Sequence, residues 1–267
     1  VLISRRATLS LRAGALLYLT VLLLLPLGLV FGRTFEHGVG TAWNWIITPA
    51  AVSAFWLTVL MAAIAVPLNT VFGVGCALVL VRSRARGRAL LDALIDLPFV
   101  VSPVIVGLAL ILVYGKDGWI SGALPIIYHP LGMALATVFV SLPFVVREVA
   151  PILIEVGNEQ EQAAATLGAS EWQTFWRVTL PSIRWGVAYG VVLTTARALG
   201  EIGAVLVVSS NVAGSTLTLP LLVYQRDSQI GSQAIGGAYA AASELVVMSL
   251  IVLLAMMLIA PGRKERR

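Results

Sequence analysis

Two pairs of charged residues stand inside otherwise apolar stretches of this 267-residue chain: Arg197 with Glu201, and Asp92 with Asp96. Each pair is spaced by four, which puts both members on one face of a helix. A charge near the centre of a bilayer costs about 2.5–3.5 kcal/mol on insertion scales, so such residues face protein or water. Arg197 and Glu201 can form a salt bridge that fixes helix packing, or a gate, or a positive site for an anion. Because Glu201 cancels most of the charge on Arg197, packing or gating is favoured over anion binding. Asp92 and Asp96 follow the arginine cluster Arg82–Arg88, which is expected to pair with them; an ion site is the lesser reading. Pro98 and Pro103 bracket Phe99-Val100-Val101-Ser102 and disturb the helical hydrogen-bond ladder. They either free backbone groups to line a passage or kink a packing helix. Ser102, Pro103, Arg197, Gly200, Glu201 and Gly203 are therefore the gate or pathway candidates.

Little else in the chain could do covalent chemistry. There are two histidines, His37 and His129, both placed on the external side, and no Gly-x-Ser-Gly setting for a nucleophile. No Gly-x-x-x-x-Gly-Lys-Ser/Thr loop is present to cradle nucleotide phosphates, so any driving energy comes from a partner or an ion gradient. The one cysteine, Cys76, can form no intrachain disulfide. The expectation is a protein with no catalytic residue, no metal and no cofactor of its own.

The elements that position these groups are membrane helices. Hydrophobic residues make up 59% of the chain and charged residues 12%, about half the charged share of a soluble domain. Uncharged runs cover residues 13–31, 51–81, 97–115, 130–146 and 245–261, and a sixth run over 185–208 is broken only by Arg197 and Glu201. About 20 residues cross a bilayer core. The run 51–81 is therefore tilted, extended or bent, with Pro67 and Asn69 favouring a bend. The Arg5-Arg6 pair ahead of a Leu-rich run resembles a secretory signal only faintly, because the run is too long and more follow. The expected fold is all-α and polytopic, with six transmembrane helices.

Charge placement orients them. On this topology Arg5, Arg6, Arg12, Arg82, Arg84, Arg86, Arg88, Arg147, Arg177, Arg184, Arg263, Lys264, Arg266 and Arg267 share one side. Only Arg33, Lys116 and Arg226 lie on the other. The positive-inside rule makes the first side cytoplasmic and both termini internal. The basic balance thus reflects topology, not nucleic-acid binding. Residues 1–50 hold the N-terminal cytoplasmic segment, first helix and external loop; 51–262 form the transmembrane domain, with the cytoplasmic loop 147–184; 263–267 are a basic cytoplasmic tail. On the external side, residues 211–240 include an apolar stretch at 217–224 and a run of small residues at 231–242. This segment is either a membrane-dipping loop or a plain surface loop.

The longest polar segment, 147–184, faces the cytoplasm. Asn158 with Glu161 reads as a capping box opening one short helix, and Gly168 supplies its left-handed stop. Ser170 with Gln173 repeats the box for a second helix, which Leu180-Pro181 ends. Ala163, Ala164 and Ala165 lie side by side, so another protein can approach the backbone closely. Glu159 and Glu161 would be repelled by an anionic leaflet, which favours docking onto protein over lying on lipid.

At these residues the chain resembles the permease subunits of binding-protein-dependent ABC importers. Their cytoplasmic loop carries Glu-Ala-Ala, three residues, Gly, nine residues and Ile-x-Leu-Pro. Here the spacing is kept by Gln162-Ala163-Ala164, Gly168 and Val178-Thr179-Leu180-Pro181. Gln162 replaces the family's Glu, while Glu161 is its neighbour, so either side chain could make the family's polar contact. The resemblance implies a type I importer transmembrane domain whose loop 147–184 couples to a cytoplasmic ATPase. It assigns the coupling contact to Glu161, Gln162, Ala163, Ala164, Thr166, Leu167, Gly168, Ala169, Leu180 and Pro181.

The stretch Ala196-Arg197-Ala198-Leu199-Gly200-Glu201-Ile202-Gly203-Ala204-Val205 is similar to that of sulfate and molybdate permeases, as is Leu91–Phe99 followed by Ser102-Pro103. Leu217-Thr218-Leu219-Pro220, and Gly38-Val39-Gly40 with Trp43, resemble the W-type subunits of sulfate importers. The resemblance implies import of sulfate or thiosulfate through a bacterial inner membrane. It implies a second, T-type permease as heterodimer partner, two ATPase subunits that use Mg-ATP, an external substrate-binding protein and surrounding lipid. A molybdate or tungstate permease is the alternative within the class. An ion-coupled secondary transporter, with the charged pairs as a proton relay, is the alternative outside it.

Overall fold

The computed structural model describes residues 5–83, 87–120, 125–229 and 231–259, and every element among them is helical. Helix α1 (Arg5–Leu19) passes through a π-helical turn at Thr20–Leu24 into α2 (Leu25–Phe35). Pro26 explains the turn: its nitrogen has no hydrogen to donate and its ring crowds the carbonyl four residues back, so the preceding turn widens. The same relation recurs later, where the π turn Phe175–Thr179 precedes Pro181. The most apolar stretch of Leu11–Phe35 is wholly unburied within the chain.

After α3 (Val39–Ile46), Thr48 caps the 34-residue α4 (Pro49–Arg82), its hydroxyl accepting from Ala51 N at 3.3 Å. A rise of 1.5 Å per residue makes α4 about 50 Å long, well beyond a bilayer core. It continues without interruption past Pro67. Asn69 is buried and donates to Val138 O at 3.0 Å and Ser141 Oγ at 2.8 Å, binding α4 to its neighbour.

Helices α5 (Arg88–Val100) and α6 (Pro103–Tyr114) meet at 110°. The span expected over 97–115, with its ladder disturbed between Pro98 and Pro103, is thus a bent pair that starts at Arg88. The proline at 103 cannot donate into the preceding turn, and it restricts Ser102 to an extended backbone. Helices α7 (Pro130–Ser141) and α8 (Pro143–Val156) form one 27-residue unit, Pro130–Val156, which runs ten residues past the boundary expected at 146.

Helices α9 (Glu159–Thr166) and α10 (Glu171–Thr174) then lead through the second π turn into α11 (Leu180–Leu199). The span expected over 185–208 is broken at Gly200–Ile202, and α12 (Gly203–Val208) follows as a separate short helix. Helix α13 (Leu219–Asp227) buries Leu219, Pro220, Leu221 and Leu222, and α14 (Ser232–Ile259) closes the fold. So residues 217–224 form no surface loop. The small residues at 232–242 begin α14 about a dozen positions before the expected span at 245, because Gly236 sits directly against the Trp45 ring.

Among the described residues, four helices are long and apolar enough to cross a membrane, or five if the bent α5–α6 pair counts as one. Helix α11, carrying Arg184 and Arg197, is not among them. Three apolar clusters hold the described residues together, the smallest joining α4 to α11 through Ala62, Ala65, Ala198 and Leu199. The first gathers α4, α6, α7, α12, α13 and α14 around Met61, Met133, Val205 and Leu219. The second packs α8 between α4 and α11, where a Cβ on Gly73 or Gly190 would come within 2.8 Å of Val145. Small residues at such crossings let helix backbones approach closely. Arg84, Arg86 and the basic tail 263–267 lie outside the described residues.

Candidate functional site

The segment from Gly157 to Thr179 projects as a helix hairpin from the second core. Its first helix begins at Asn158, whose side chain makes no capping bond. The expected Asn158–Glu161 box is therefore absent. Glu161 turns inward instead: its carboxylate lies 3.0 Å from Arg82 Nε, and Thr179 Oγ1 donates to it at 2.8 Å. Arg82 also donates to Gly157 O. One carboxylate thereby joins the end of α4, the first hairpin helix and the entry to α11. Charge-assisted bonds of this kind are about twice as strong as neutral ones, and an exposed cap is worth only about 1 kcal/mol.

The second box forms as expected, with Gln173 N donating to Ser170 Oγ at 3.3 Å and Ser170 N to Gln173 Oε1 at 3.1 Å. Gly168 has φ +85, and Gly168 N and Ala169 N donate back to Ala165 O and Ala164 O at 3.0 and 3.1 Å. That left-handed stop turns the chain between the helices. Gln162, Ala163, Thr166 and Gly168 are exposed, and Leu167 at the tip is 88% exposed. Ala164 and Ala169 are half-buried, and Leu180 and Pro181 stand at the base where α11 begins. Glu161 and Gln162, adjacent in the chain, thus face opposite ways, one into the fold and one out of it.

The pathway candidates also come together. Gly200–Ile202 breaks α11 from α12, and Val101-Ser102 breaks α5 from α6. The two breaks pack on one another: a Cβ on Gly203 would lie 3.0 Å from Pro103 Cβ, and one on Gly107 would lie 2.7 Å from Ala204 O. Glu201 is 3% exposed and pairs with Arg197 Nη2 at 2.7 Å. Its other oxygen accepts from Ala204 N at 2.8 Å, capping α12. The carboxylate therefore spans the break, holding the end of one helix and the start of the next. Ser102 is exposed and makes no side-chain cap bond. Gly200 is not a crossing point, since the nearest atom to its Cβ would be Ala196 O at 3.6 Å.

Asp92 and Asp96 have a partner that the sequence did not indicate. Among the described residues, which leave out Arg84 and Arg86 of the expected cluster, Arg147 of α8 bridges them: Nη2 lies 2.9 Å from Asp92 Oδ1 and also contacts Asp96, and Nε donates to Asp96 Oδ1 at 2.8 Å. Arg82 is committed to Glu161, and the packing of α8 on α5 brings Arg147 to the two aspartates. Sequence reasoning missed Arg82, Thr179 and Arg147 as site residues. Their partners are 18 to 79 positions away, so no local spacing reports them.

The chain as a whole is similar to known proteins. Residues 69–265 match the family described as "Binding-protein-dependent transport system inner membrane component". The sulfate transport system permease protein CysW of Synechocystis sp. is 51% identical, over 90% of this chain and 89% of that protein. CysW of Synechococcus elongatus is 47% identical, over 94% and 90%. CysT of Escherichia coli, also a sulfate transport system permease protein, is 39% identical, over 92% and 89%. Among solved structures, a chain of a bacterial alginate ABC transporter, in complex with its alginate pentasaccharide-bound periplasmic protein, superposes with a TM-score of 0.75. That likeness covers 93% of this chain and 92% of that one at 16% identity, and it shows the shared fold.

Proposed function

We infer that this chain, which belongs to the family of binding-protein-dependent transport system inner membrane components, is a permease subunit of a sulfate ABC importer. It is a multi-pass membrane protein with the fold of importer permeases. Identity of about half with CysW proteins, over nine-tenths of each chain, carries the choice of sulfate over molybdate or tungstate. Its relation to both CysW and CysT proteins supports a W-type subunit paired with a T-type partner.

The hairpin is the coupling element of that assembly. Two cytoplasmic ATPase subunits hydrolyse Mg-ATP, and one of them receives the exposed face formed by Gln162, Ala163, Thr166 and Leu167. Glu161, Ala164, Gly168, Ala169, Leu180 and Pro181 shape and anchor that face. The observation supporting this division is the opposed orientation of Glu161 and Gln162: one braces the hairpin, the other is available to a partner. Movement of the hairpin passes through Arg82 to α4 and through Thr179 to α11. The paired helix breaks at Ser102-Pro103 and Gly200–Gly203, latched by Arg197–Glu201, form the gate that such movement opens. An external binding protein delivers sulfate or thiosulfate to it.

Six spans with both termini in the bacterial cytoplasm complete the reading. The bent α5–α6 pair counts as the third span and α11–α12 as the fifth. The permease domain is 51–262, flanked by the first helix and a basic tail. Two short helices meeting at a break are acceptable in a membrane where protein or water covers the freed backbone, which suits a gate.

The test is sulfate uptake by proteoliposomes holding both permeases and the ATPase, supplied with binding protein. Uptake should require internal ATP, stop with vanadate and survive a protonophore. Uptake without any ATPase subunit, or its collapse by the protonophore alone, would show a secondary transporter. Competition among sulfate, thiosulfate and molybdate identifies the anion.

A further inference from the structure

We propose that the second limb of the hairpin is a lipid anchor, an aromatic and basic stripe seated in the anionic headgroup layer of the inner leaflet. The inference rests on the membrane orientation given above. Trp172, Phe175 and Trp176 form one ring cluster, with centroids 5.3 to 6.1 Å apart. Trp172 is 69% exposed and Trp176 50%. The exposed positions continue through Arg177 and Pro181 to Arg184, whose guanidinium lies 5.2 Å over the Trp185 ring. The spacing along this stripe is set by the π turn ahead of Pro181.

Three observations choose lipid as the occupant. The indole N–H groups of Trp172 and Trp176 have no hydrogen-bond partner among the described residues, which leaves each ring with an apolar body and a free polar edge. Tryptophan concentrates at the headgroup level for that reason. The stripe is basic, with Arg177 and Arg184 on it and Glu171 as its one acidic neighbour. By contrast the first limb, which faces the ATPase, carries Glu159 and Glu161 in its first turn and no basic residue. Finally, the stripe runs without a break into α11, the helix that returns to the membrane, so its far end already meets lipid.

Each basic residue at an anionic leaflet raises local affinity about fivefold. Arg177 and Arg184 together then favour anionic over neutral lipid about 25-fold, which fixes the hairpin base at a set depth while its tip moves with the ATPase.

The test uses the complete importer in nanodiscs of phosphatidylcholine with or without phosphatidylglycerol. In one variant every tryptophan except Trp176 is replaced by phenylalanine; in another only Trp172 is kept. Lipid spin-labelled near the headgroup should quench the retained emission at least twofold more than lipid labelled at the chain end. Adding or removing the ATPase should leave that quenching unchanged. Emission quenched by aqueous iodide but not by either lipid label would overturn the anchor, and protection from iodide by the ATPase would assign the stripe to that subunit. A second measurement keeps all seven tryptophans: R177Q together with R184Q should lower co-purified phosphatidylglycerol severalfold, and an unchanged lipid complement would equally overturn it. Uptake by the wild-type importer in proteoliposomes of the same lipids reports the transport function separately, so loss of one result leaves the other standing.

Discussion

Glu161 lies 3.0 Å from Arg82 across 79 positions of sequence, and this pair closes the base of the hairpin onto the longest helix of the fold. The two side chains are about one-fifth exposed, so removal of one leaves the other charge poorly solvated. The same carboxylate also accepts from Thr179 Oγ1 at the mouth of α11.

The two neighbouring side chains should therefore respond differently. Glu161→Ala is expected to cost about 1–3 kcal/mol of stability and to abolish transport. Gln162→Ala should leave thermal unfolding of the detergent-solubilised protein unchanged while weakening co-purification of the ATPase. Gln162→Glu, which restores the family's acidic residue, should be tolerated. Equal stability losses at 161 and 162 would contradict the opposed orientations.

Gly168 has open space where a Cβ would go, yet its φ of +85 is strained for any side chain. Gly168→Val should cost about 1–2 kcal/mol locally and misplace the tip. Membrane insertion, followed by fractionation, should be intact, with uptake lost. Full uptake in the variant would remove the turn from the coupling path.

At the paired helix breaks the glycines are predicted to differ. Gly203→Val drives methyl groups into Pro103 and should cost about 1–3 kcal/mol by overpacking, with sulfate uptake abolished. Gly200→Ala meets only ordinary contact and should keep most of its activity. Uptake assays on the two variants, normalised to membrane protein, give the comparison directly.

Arg147 bridges Asp92 and Asp96 unequally. It contacts Asp96 through both Nε and Nη2 but Asp92 through Nη2 alone. Asp96→Asn should therefore lower the unfolding temperature more than Asp92→Asn. All three side chains are over one-third exposed, so the single effects should stay near 0.5 kcal/mol. A larger effect from Asp92→Asn would show a different geometry for the bridge.

Much of this was legible from residue types alone. The cap at Ser170-Gln173 and the stop at Gly168 depend on atoms within a few positions, and the structure has both. The Glu161 half of the Asn158 box failed for the converse reason: its carboxylate has stronger, distant partners in Arg82 and Thr179. Hydropathy located the apolar runs but not their breaks. Residues 185–208 read as one span because Gly200-Glu201-Ile202 is too short an interruption to register in a window of spanning length. Likewise the small residues at 232–242 carry too little hydropathy to announce the start of α14, which is stabilised by contact with Trp45 and Arg226 instead.

The chain's own composition and spacing thus determined that it is an all-helical membrane protein with a two-helix hairpin about Gly168, since burial of apolar runs and local capping are short-range physics. Tertiary structure alone decided which charges pair. Arg82 went to Glu161 and Arg147 to the two aspartates, and the breaks at Ser102-Pro103 and Gly200–Gly203 came face to face. Ion pairs and helix crossings are set by which surfaces meet after packing. That is a property of distances in space, and spacing along the chain does not encode it.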